Sequence, residues 1–331
     1  MKAVKSSARR FALGMSLMVG AFGVSSQAAA EYPERPISIV VGYPAGGSTD
    51  LNGRLVAEAL AEKLDSSVVV ENLGGAGGAI GAQKVVRAKP DGYTLLLGAL
   101  NEVTIAELIN SAVKYEGAKD LFPIGMVGDQ PLLFAASKES GINNADDFLA
   151  MVKSGKSADY SFGSSGVGTA LHLAGEMVNK TTGAEVLHIP YKGVAPLVTD
   201  LISGQLGLGM FVFSSGFPQV QAGKIVPLGV TTTKRSPLAP EIPALSENPG
   251  FKDVDVSMWF GLFGPNDMPE PVVAKLRTAL SAVLADPVFQ EKYKATGGTV
   301  VPEQPADLSQ FFASESAKYK KLVDMAGIGI K

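Results

Sequence analysis

Apolar positions along this chain fall into short runs, many of them β-branched. Glycine-rich breaks tend to follow, and then residues on helical spacing. The first run is Ile37, Ile39, Val40 and Val41, after Pro36; its length and branching predict a buried strand. It breaks at Pro44, Gly46 and Gly47, and continues into Ser48, Thr49 and Asp50, each able to cap a helix. Leu51, Leu55, Val56, Ala59, Leu60 and Leu64 then repeat at helical spacing. A strand, a glycine turn and a helix start aim free N–H groups and the positive end of a helix dipole at one spot, which suits an anion. A plain βα turn has the same signature.

The alternation recurs. Residues 68–70 predict a second strand, 74–81 a glycine-rich turn, 84–88 a helix stopped by Lys89-Pro90-Asp91-Gly92, and 94–97 a third strand. A short helical stretch is expected near 103–109, and separate strands over 119–127 and 132–136. Further on, 145–153 reads as a helix, 160–162 as a strand, and a second glycine-rich loop, 163–169, leads into a helix near Thr169. A strand end and turn follow at 188–193, a helix at 195–202, and strands at 207–212 and 225–231. Turn formers over 246–253 read as a return linker to a strand at 256–263. Two amphipathic helices, 271–284 and 307–325, are expected to pack on the first domain.

Alternating strands and helices predict an α/β fold with largely parallel, covered sheets. The resumption of the pattern after Pro131 and the linker near Gly250 divide it into two lobes joined by two crossings. One lobe comprises residues 31–130 plus 251–331, and the other 131–250. Such an arrangement leaves a cleft at the carboxyl ends of the strands, where ligands bind.

Composition narrows the classes of function. Lys2, Lys5, Arg9 and Arg10 precede an apolar core, and Ala28-Ala29-Ala30 offers a small-residue cleavage site, so residues 1–30 read as a secretion signal. The formal charge is −3; without the four basic residues of the signal it is −3 − 4 = −7, which disfavours nucleic acid or an anionic membrane as partner. The chain has no cysteine, which excludes disulfides and thiolate metal sites.

Several chemistries can be weighed on residues. Gly75, Gly77 and Gly81 spell a loose dinucleotide pattern, but Leu95–Leu97 fill the region where a ribose-gripping acid is required. The loop from Gly163 to Thr169 misses the nucleophile-elbow pattern, because Gly166 directly follows Ser165. His172 and His188 are the only histidines; packed or capping roles suit them better than that of a base. Two histidines without cysteine also make a zinc site a poor reading. Asp50 stands where an N-cap or loop brace is expected, and Lys192, beside Tyr191, could meet an anion or simply be solvated.

Six motifs in order along the chain carry a resemblance: Tyr32-Pro33-Glu34-Arg35-Pro36-Ile37; Pro44-Ala45-Gly46-Gly47-Ser48-Thr49-Asp50; Val70-Glu71-Asn72 with the glycines after it; Pro90-Asp91-Gly92-Tyr93-Thr94-Leu95; Ser165-Gly166-Val167-Gly168-Thr169 with His172-Leu173; and His188-Ile189-Pro190-Tyr191-Lys192-Gly193. The sequence resembles the extracytoplasmic solute receptors of tripartite tricarboxylate transporters, the Bug family. The resemblance implies a periplasmic-binding-protein-like fold that closes on a small carboxylate, held by backbone groups and ordered water near the first-strand loop. It places Ala45, Gly46, Gly47, Ser48, Thr49 and Asp50 on one wall of the pocket and Ser165, Gly166, Val167, Gly168 and Thr169 on the other, with Tyr191 and Lys192 nearby. Two positions depart from the pattern: Tyr43 replaces the usual phenylalanine, and Gly98 to Val103, with Asn101 and Glu102, replaces a small-residue run containing histidine. Both face the pocket in the family, so Tyr43 and Asn101 join the expected ligand-binding set, and a pocket-facing Glu102 would repel an anion or pair with an ammonium group. The implied protein is a monomeric, non-enzymatic periplasmic receptor without cofactor or metal, delivering a small organic acid to membrane permease subunits. A sensing subunit for a signalling kinase and a secreted hydrolase are the alternatives.

Overall fold

The computed structural model describes residues 32–329. The expected signal, residues 1–30, lies outside them. Residues 33–329 form one compact unit.

The amino-terminal strands are β1 (Ile37–Val41), β2 (Val68–Asn72) and β3 (Thr94–Ala99), with α1 (Ser48–Leu64) and α2 (Ala79–Val86) between them. β1 pairs in parallel with both neighbours. A π-helical turn, Asn101–Ile105, runs into α3 (Ala106–Ile109), and α4 (Gly117–Asp120) leads into β4 (Leu121–Ser137). Then follow α5 (Ala145–Lys153), β5 (Ser161–Ser164), α6 (Ala170–Thr182), β6 (Leu187–Pro190), α7 (Val194–Ile202), β7 (Leu208–Val212), α8 (Phe213–Gln221) and β8 (Ile225–Val230). The chain closes with β9 (Ser257–Pro265), α9 (Glu270–Ala285), α10 (Pro287–Lys294), β10 (Thr299–Val300) and α11 (Leu308–Ala326).

The sheet is mixed, in the order β2-β1-β3-β9-β4-β7-β5-β6, with β10 and β8 also pairing β4. β5 is parallel to β6 and β7, but every pair that includes β4, and the β3–β9 pair, is antiparallel. The expected parallel character therefore holds only in the βα units; β4 and β9 run antiparallel to every strand they pair with.

Residues 119–127 and 132–136, expected as separate strands, belong to one continuous β4. The breakers Gly128 and Pro131 misled the reading. Pro131 sits where β4 changes partners, from β9 through residue 131 to β7 from residue 132 and β8 from residue 133, so its missing N–H falls at the handover. The returning crossing is pinned at the same place: Leu132 N–H donates to Thr231 Oγ1 (3.2 Å), and Val256 N–H donates to Thr231 carbonyl oxygen (3.2 Å). Two half-sheets, each with its own helices, thus meet along β4 in a two-lobed α/β architecture.

Two amphipathic readings shift in detail. In α1, Leu51 is 40% exposed while Asn52 and Gly53 are buried. A Cβ at Gly53 would stand 2.8 Å from Val41 Cγ2, so the helix sits too close to β1 for any larger residue. α9 packs on α1 and β4, but α11 lies against the 101–105 turn, α3 and α4 and also against α6 of the other half. Its Phe312, Tyr319 and Val323 are buried, with Phe312 against Trp259 and Phe263. The carboxyl-terminal helix therefore touches both halves rather than the first alone.

Candidate functional site

The opening loop is braced from below by Asp50. Its carboxylate accepts from Gly46 N–H (2.9 Å), from Arg54 (3.0 Å) and from Asn72 Nδ2 (2.9 Å). Burial alone would raise its pKa, but these bonds hold it below the ordinary carboxylate value. Asn72 also donates to the Tyr43 carbonyl oxygen (3.0 Å). Gly46 is required by its backbone, at φ +87°, whereas Gly47 has an ordinary extended conformation and room for a Cβ. The residue before α1 is thus Gly47, not a side-chain cap, and no side chain caps this helix start.

Tyr43 closes the inner end of the loop. Its hydroxyl donates to Gly77 carbonyl oxygen (2.7 Å) and accepts from Asn101 Nδ2 (2.7 Å). Asn101 Oδ1 in turn accepts from the first amide of α6, Ala170 N–H, at 2.6 Å. One buried asparagine therefore bridges the half-sheets. Glu102 does not face the cleft, contrary to the sequence reading. It is 1% exposed, accepts from Ala99 N–H (2.8 Å), and lies 3.4 Å from the Tyr43 hydroxyl. Gly78, at φ +96°, covers it: a Cβ there would stand 2.8 Å from Glu102 Oε2. Burial pushes the Glu102 carboxyl up to about 8, so it is neutral at physiological pH and neither repels an anion nor pairs with an ammonium group.

The second glycine loop is held by hydroxyls and histidines. Thr169 caps α6, accepting from His172 N–H (3.4 Å) and donating to Gly166 carbonyl oxygen (2.9 Å). Gly168 N–H donates to His172 Nδ1 (2.9 Å), which places the proton of a neutral His172 on Nε2, 3.6 Å from Glu176 Oε1. His172 and His188 stack with ring centres 3.7 Å apart. His188 Nε2 lies 2.7 Å from the hydroxyl of Ser164, not Ser165, and Ser164 is fully buried and also bonded to Gly166. Burial, then the neighbouring His172, pushes His188 down to about 4. Both histidines are packed and hold the loop, as expected.

Two adjoining cavities, of about 730 and 210 Å³, lie between the halves. Tyr43, Asn101, Ser165 and Lys192 line both. Gly166, Val167, Gly168, Thr169 and Tyr191 line only the larger; Ala45, Gly46, Gly47, Ser48 and Thr49 line only the smaller. Asp50 reaches neither and acts from behind. The 74–78 glycines, which read as a loose nucleotide motif, line the larger cavity instead. Sequence reasoning missed the start of α7: Gly193, Val194 and Ala195 line the smaller cavity together with Ser48. No side chain caps α7 either. Two helix starts without an N-cap side chain thus border the smaller cavity, while the third, that of α6, is occupied by Thr169 and Asn101. The glycine at residue 193 was the signal available. Tyr191 is turned away from a ligand role at its hydroxyl, which donates to Asp200 (2.7 Å).

Two half-sheets with a cavity between them, lined by the glycine loops of both, have the form of a solute-binding receptor of the periplasmic type. Residues 53–328 match the model of the tripartite tricarboxylate transporter family receptor, and the chain belongs to that family. It is 34% identical over 305 residues, 91% of this chain and 87% of the other, to a UPF0065 protein in the TAR-I ttuE-ttuC' intergenic region of Agrobacterium vitis. Among solved structures, the periplasmic binding protein BugD is 37% identical, with TM-score 0.84, covering 91% of this chain and all of that one. R. palustris Rpa4515 with adipate is 30% identical, with TM-score 0.86, covering 90% and 99%. No helix among the described residues is long and apolar enough to cross a membrane.

Proposed function

We propose that this chain is an exported receptor that captures a small organic carboxylate and delivers it to the permease subunits of a tripartite tricarboxylate-type transporter. The residues lining the two cavities are its binding site, and residues 31–130 with 251–331 and residues 131–250 are the lobes that close on the ligand. The observation that carries this reading is that the starts of α1 and α7, neither with a side-chain N-cap, both line the smaller cavity. Their N–H groups and dipoles favour an anion there without any arginine. The adipate in the R. palustris relative supports the same chemistry.

The protein binds and releases its ligand unchanged. The Ser164–His188 pair is engaged in holding the 164–168 loop, and Ser164 is buried. Removal of residues 1–30 would free the mature receptor for the periplasm, where it acts as a monomer.

A thermal-shift screen of mono-, di- and tricarboxylates and aromatic acids, followed by calorimetry on the hits, tests the proposal. Micromolar binding, about 8 kcal/mol, is expected for at least one acid. A screen in which no acid at millimolar concentration shifts the melting temperature overturns it.

A further inference from the structure

A relay of buried polar side chains leads from the crossing strand to the wall of the smaller cavity. Gln130, the residue before Pro131, is fully buried, and so is Asn52 on α1. Gln130 Nε2 donates to Thr296 Oγ1 (2.9 Å) and to Asn52 Oδ1 (3.4 Å). Asn52 Nδ2 donates to the carbonyl oxygen of Ser48 (2.8 Å), the first residue of α1. Ser48 lines the smaller cavity; Gln130, Asn52 and Thr296 line neither cavity.

The donors run in one direction. Thr296 gives its hydroxyl proton to the Tyr293 carbonyl oxygen (2.6 Å), and Asn52 turns its amide nitrogen to Ser48. Both therefore offer oxygen to Gln130, and the two protons of its amide nitrogen match them. The reverse orientation would set oxygen against oxygen twice. The match leaves Gln130 Oε1 buried with no hydrogen-bond partner among the described residues. An apolar side chain of this shape would avoid that cost, so stability alone does not account for a glutamine here.

The far end of the relay touches the other half of the fold. Gly297, at φ +82°, lies against Phe213, the first residue of α8, and a Cβ there would overlap the ring. Phe213 is fully buried and follows Val212, which lines the smaller cavity. The turn at 296–297 is thus gripped by Gln130 from one half and by Phe213 from the other. We propose that Gln130 is a positioning residue for ligand capture: through Asn52 it holds the start of α1, and through Thr296 it ties that start to the seating of the second half. This inference rests on the smaller cavity being the ligand site, and concerns how its wall is set rather than what it selects. The 3.4 Å contact is the loose link, the first to break when the halves part.

Four single variants of the full chain test it. Gln130→Met removes the donor and keeps the bulk. Thr296→Val removes the hydroxyl, and Thr296→Ser keeps it. Tyr293→Phe removes a nearby buried hydroxyl that lies outside the relay and has no partner among the described residues. Hydrogen exchange without ligand follows the Leu51 amide, which donates to Gly47 carbonyl oxygen (2.9 Å) in the first turn of α1. Its exchange should speed up about tenfold in Gln130→Met and Thr296→Val, and stay at the wild-type rate in Thr296→Ser and Tyr293→Phe. Calorimetry with adipate, or with the tightest acid of the screen where adipate does not bind, should show affinity lowered about tenfold in the first two only. Unchanged Leu51 exchange in whichever of Gln130→Met and Thr296→Val folds overturns the inference. Faster exchange that Tyr293→Phe shares is general loosening and overturns it too. Wild-type affinity beside a loosened α1 start also overturns it, because Gln130 then serves the fold and not the capture. If no acid binds, the carboxylate reading fails by itself, and the exchange rates alone decide whether Gln130 sets the start of α1.

Discussion

Asn101→Ala tests the contact that joins the two halves. The side chain is 4% exposed and makes two short bonds, accepting from Ala170 N–H at 2.6 Å and donating to the Tyr43 hydroxyl at 2.7 Å. Alanine removes both. Tyr43 keeps its bond to Gly77, but the first amide of α6 loses its acceptor. At about 0.5–1.5 kcal/mol per bond, the loss is about 1–3 kcal/mol. The bond to Ala170 crosses from one half to the other, so it exists only while the halves are together, and its loss falls on the closed arrangement. At about 0.5–1.5 kcal/mol for that one bond, and 1.4 kcal/mol per tenfold, affinity should weaken about 2- to 13-fold.

Stopped-flow binding and calorimetry, with the tightest acid from the screen, separate the effects. Encounter with the open cleft does not need Asn101, so the association rate should change little and the dissociation rate should carry most of the loss. Chemical denaturation of the ligand-free protein gives the stability cost, which should be smaller than the binding cost. The reasoning fails if affinity stays within twofold of wild type in a folded variant. It fails in the opposite sense if affinity rises, because the freed Ala170 amide would then be a better ligand donor than the asparagine is a clasp.

Asp50→Ala should destabilise by about 2 kcal/mol, since one carboxylate holds Gly46, Arg54 and Asn72; denaturation midpoints measure it. Because its folded pKa is depressed, its contribution is present above the ordinary carboxylate value and is lost as pH falls through the folded one, and Asp50→Asn should flatten that acid limb. Thr169→Val removes the cap of α6 and should cost about 1 kcal/mol of stability, with weaker ligand binding by calorimetry. Glu102→Gln acts on the alkaline side. The native protein keeps the Glu102 proton up to about pH 8, whereas the unfolded chain releases it near 4.5, so wild-type stability should fall as pH rises between those values. The glutamine variant should lose this slope; an unchanged slope would mean that Glu102 is ionised in the fold.

Most elements were legible because their local signals agreed with their final packing. Residues 145–153, with Asn144 as cap, form a helix whose burial repeats on one face, and the observed α5 has the same bounds. What failed had competing causes. Gly128 and Pro131 read as punctuation, yet the strand runs through them because its partners change there. α8 and α10 were overlooked: one begins with Phe213-Ser214-Ser215-Gly216 and contains Pro218, and the other follows α9 after a single residue. Of the site, the loops were legible from their glycines, but two facts depend on three-dimensional closure. Glu102 looked like a pocket acid because the family resemblance puts the Gly98–Val103 segment at the pocket; Asn101 does line the cavity, but the π-helical turn carries the next side chain underneath. The start of α7 was hidden because Gly193 follows Tyr191 and Lys192, which drew attention as side chains.

The division of labour among the three helix starts explains how one cleft can be both attractive to an anion and stable without one. A buried helix start needs partners for its first amides. At α6 the protein supplies them itself, from Thr169 within the loop and Asn101 across the cleft. At α1 and α7 the residue before the helix is a glycine and gives no side-chain cap; those two ends border the smaller cavity, and the α7 start, with Ala195 and Pro196 exposed, is open to water. Closure is thus biased by protein–protein bonds at one point and left incomplete at another, where a carboxylate can finish it. Filling all three would give a closed cleft indifferent to ligand; leaving all three open would make closure depend on the ligand alone. The histidine stack belongs to the same scheme. His172 and His188 fix the Gly168 amide and Ser164, so the shape of the 164–168 loop is held by the protein's own side chains.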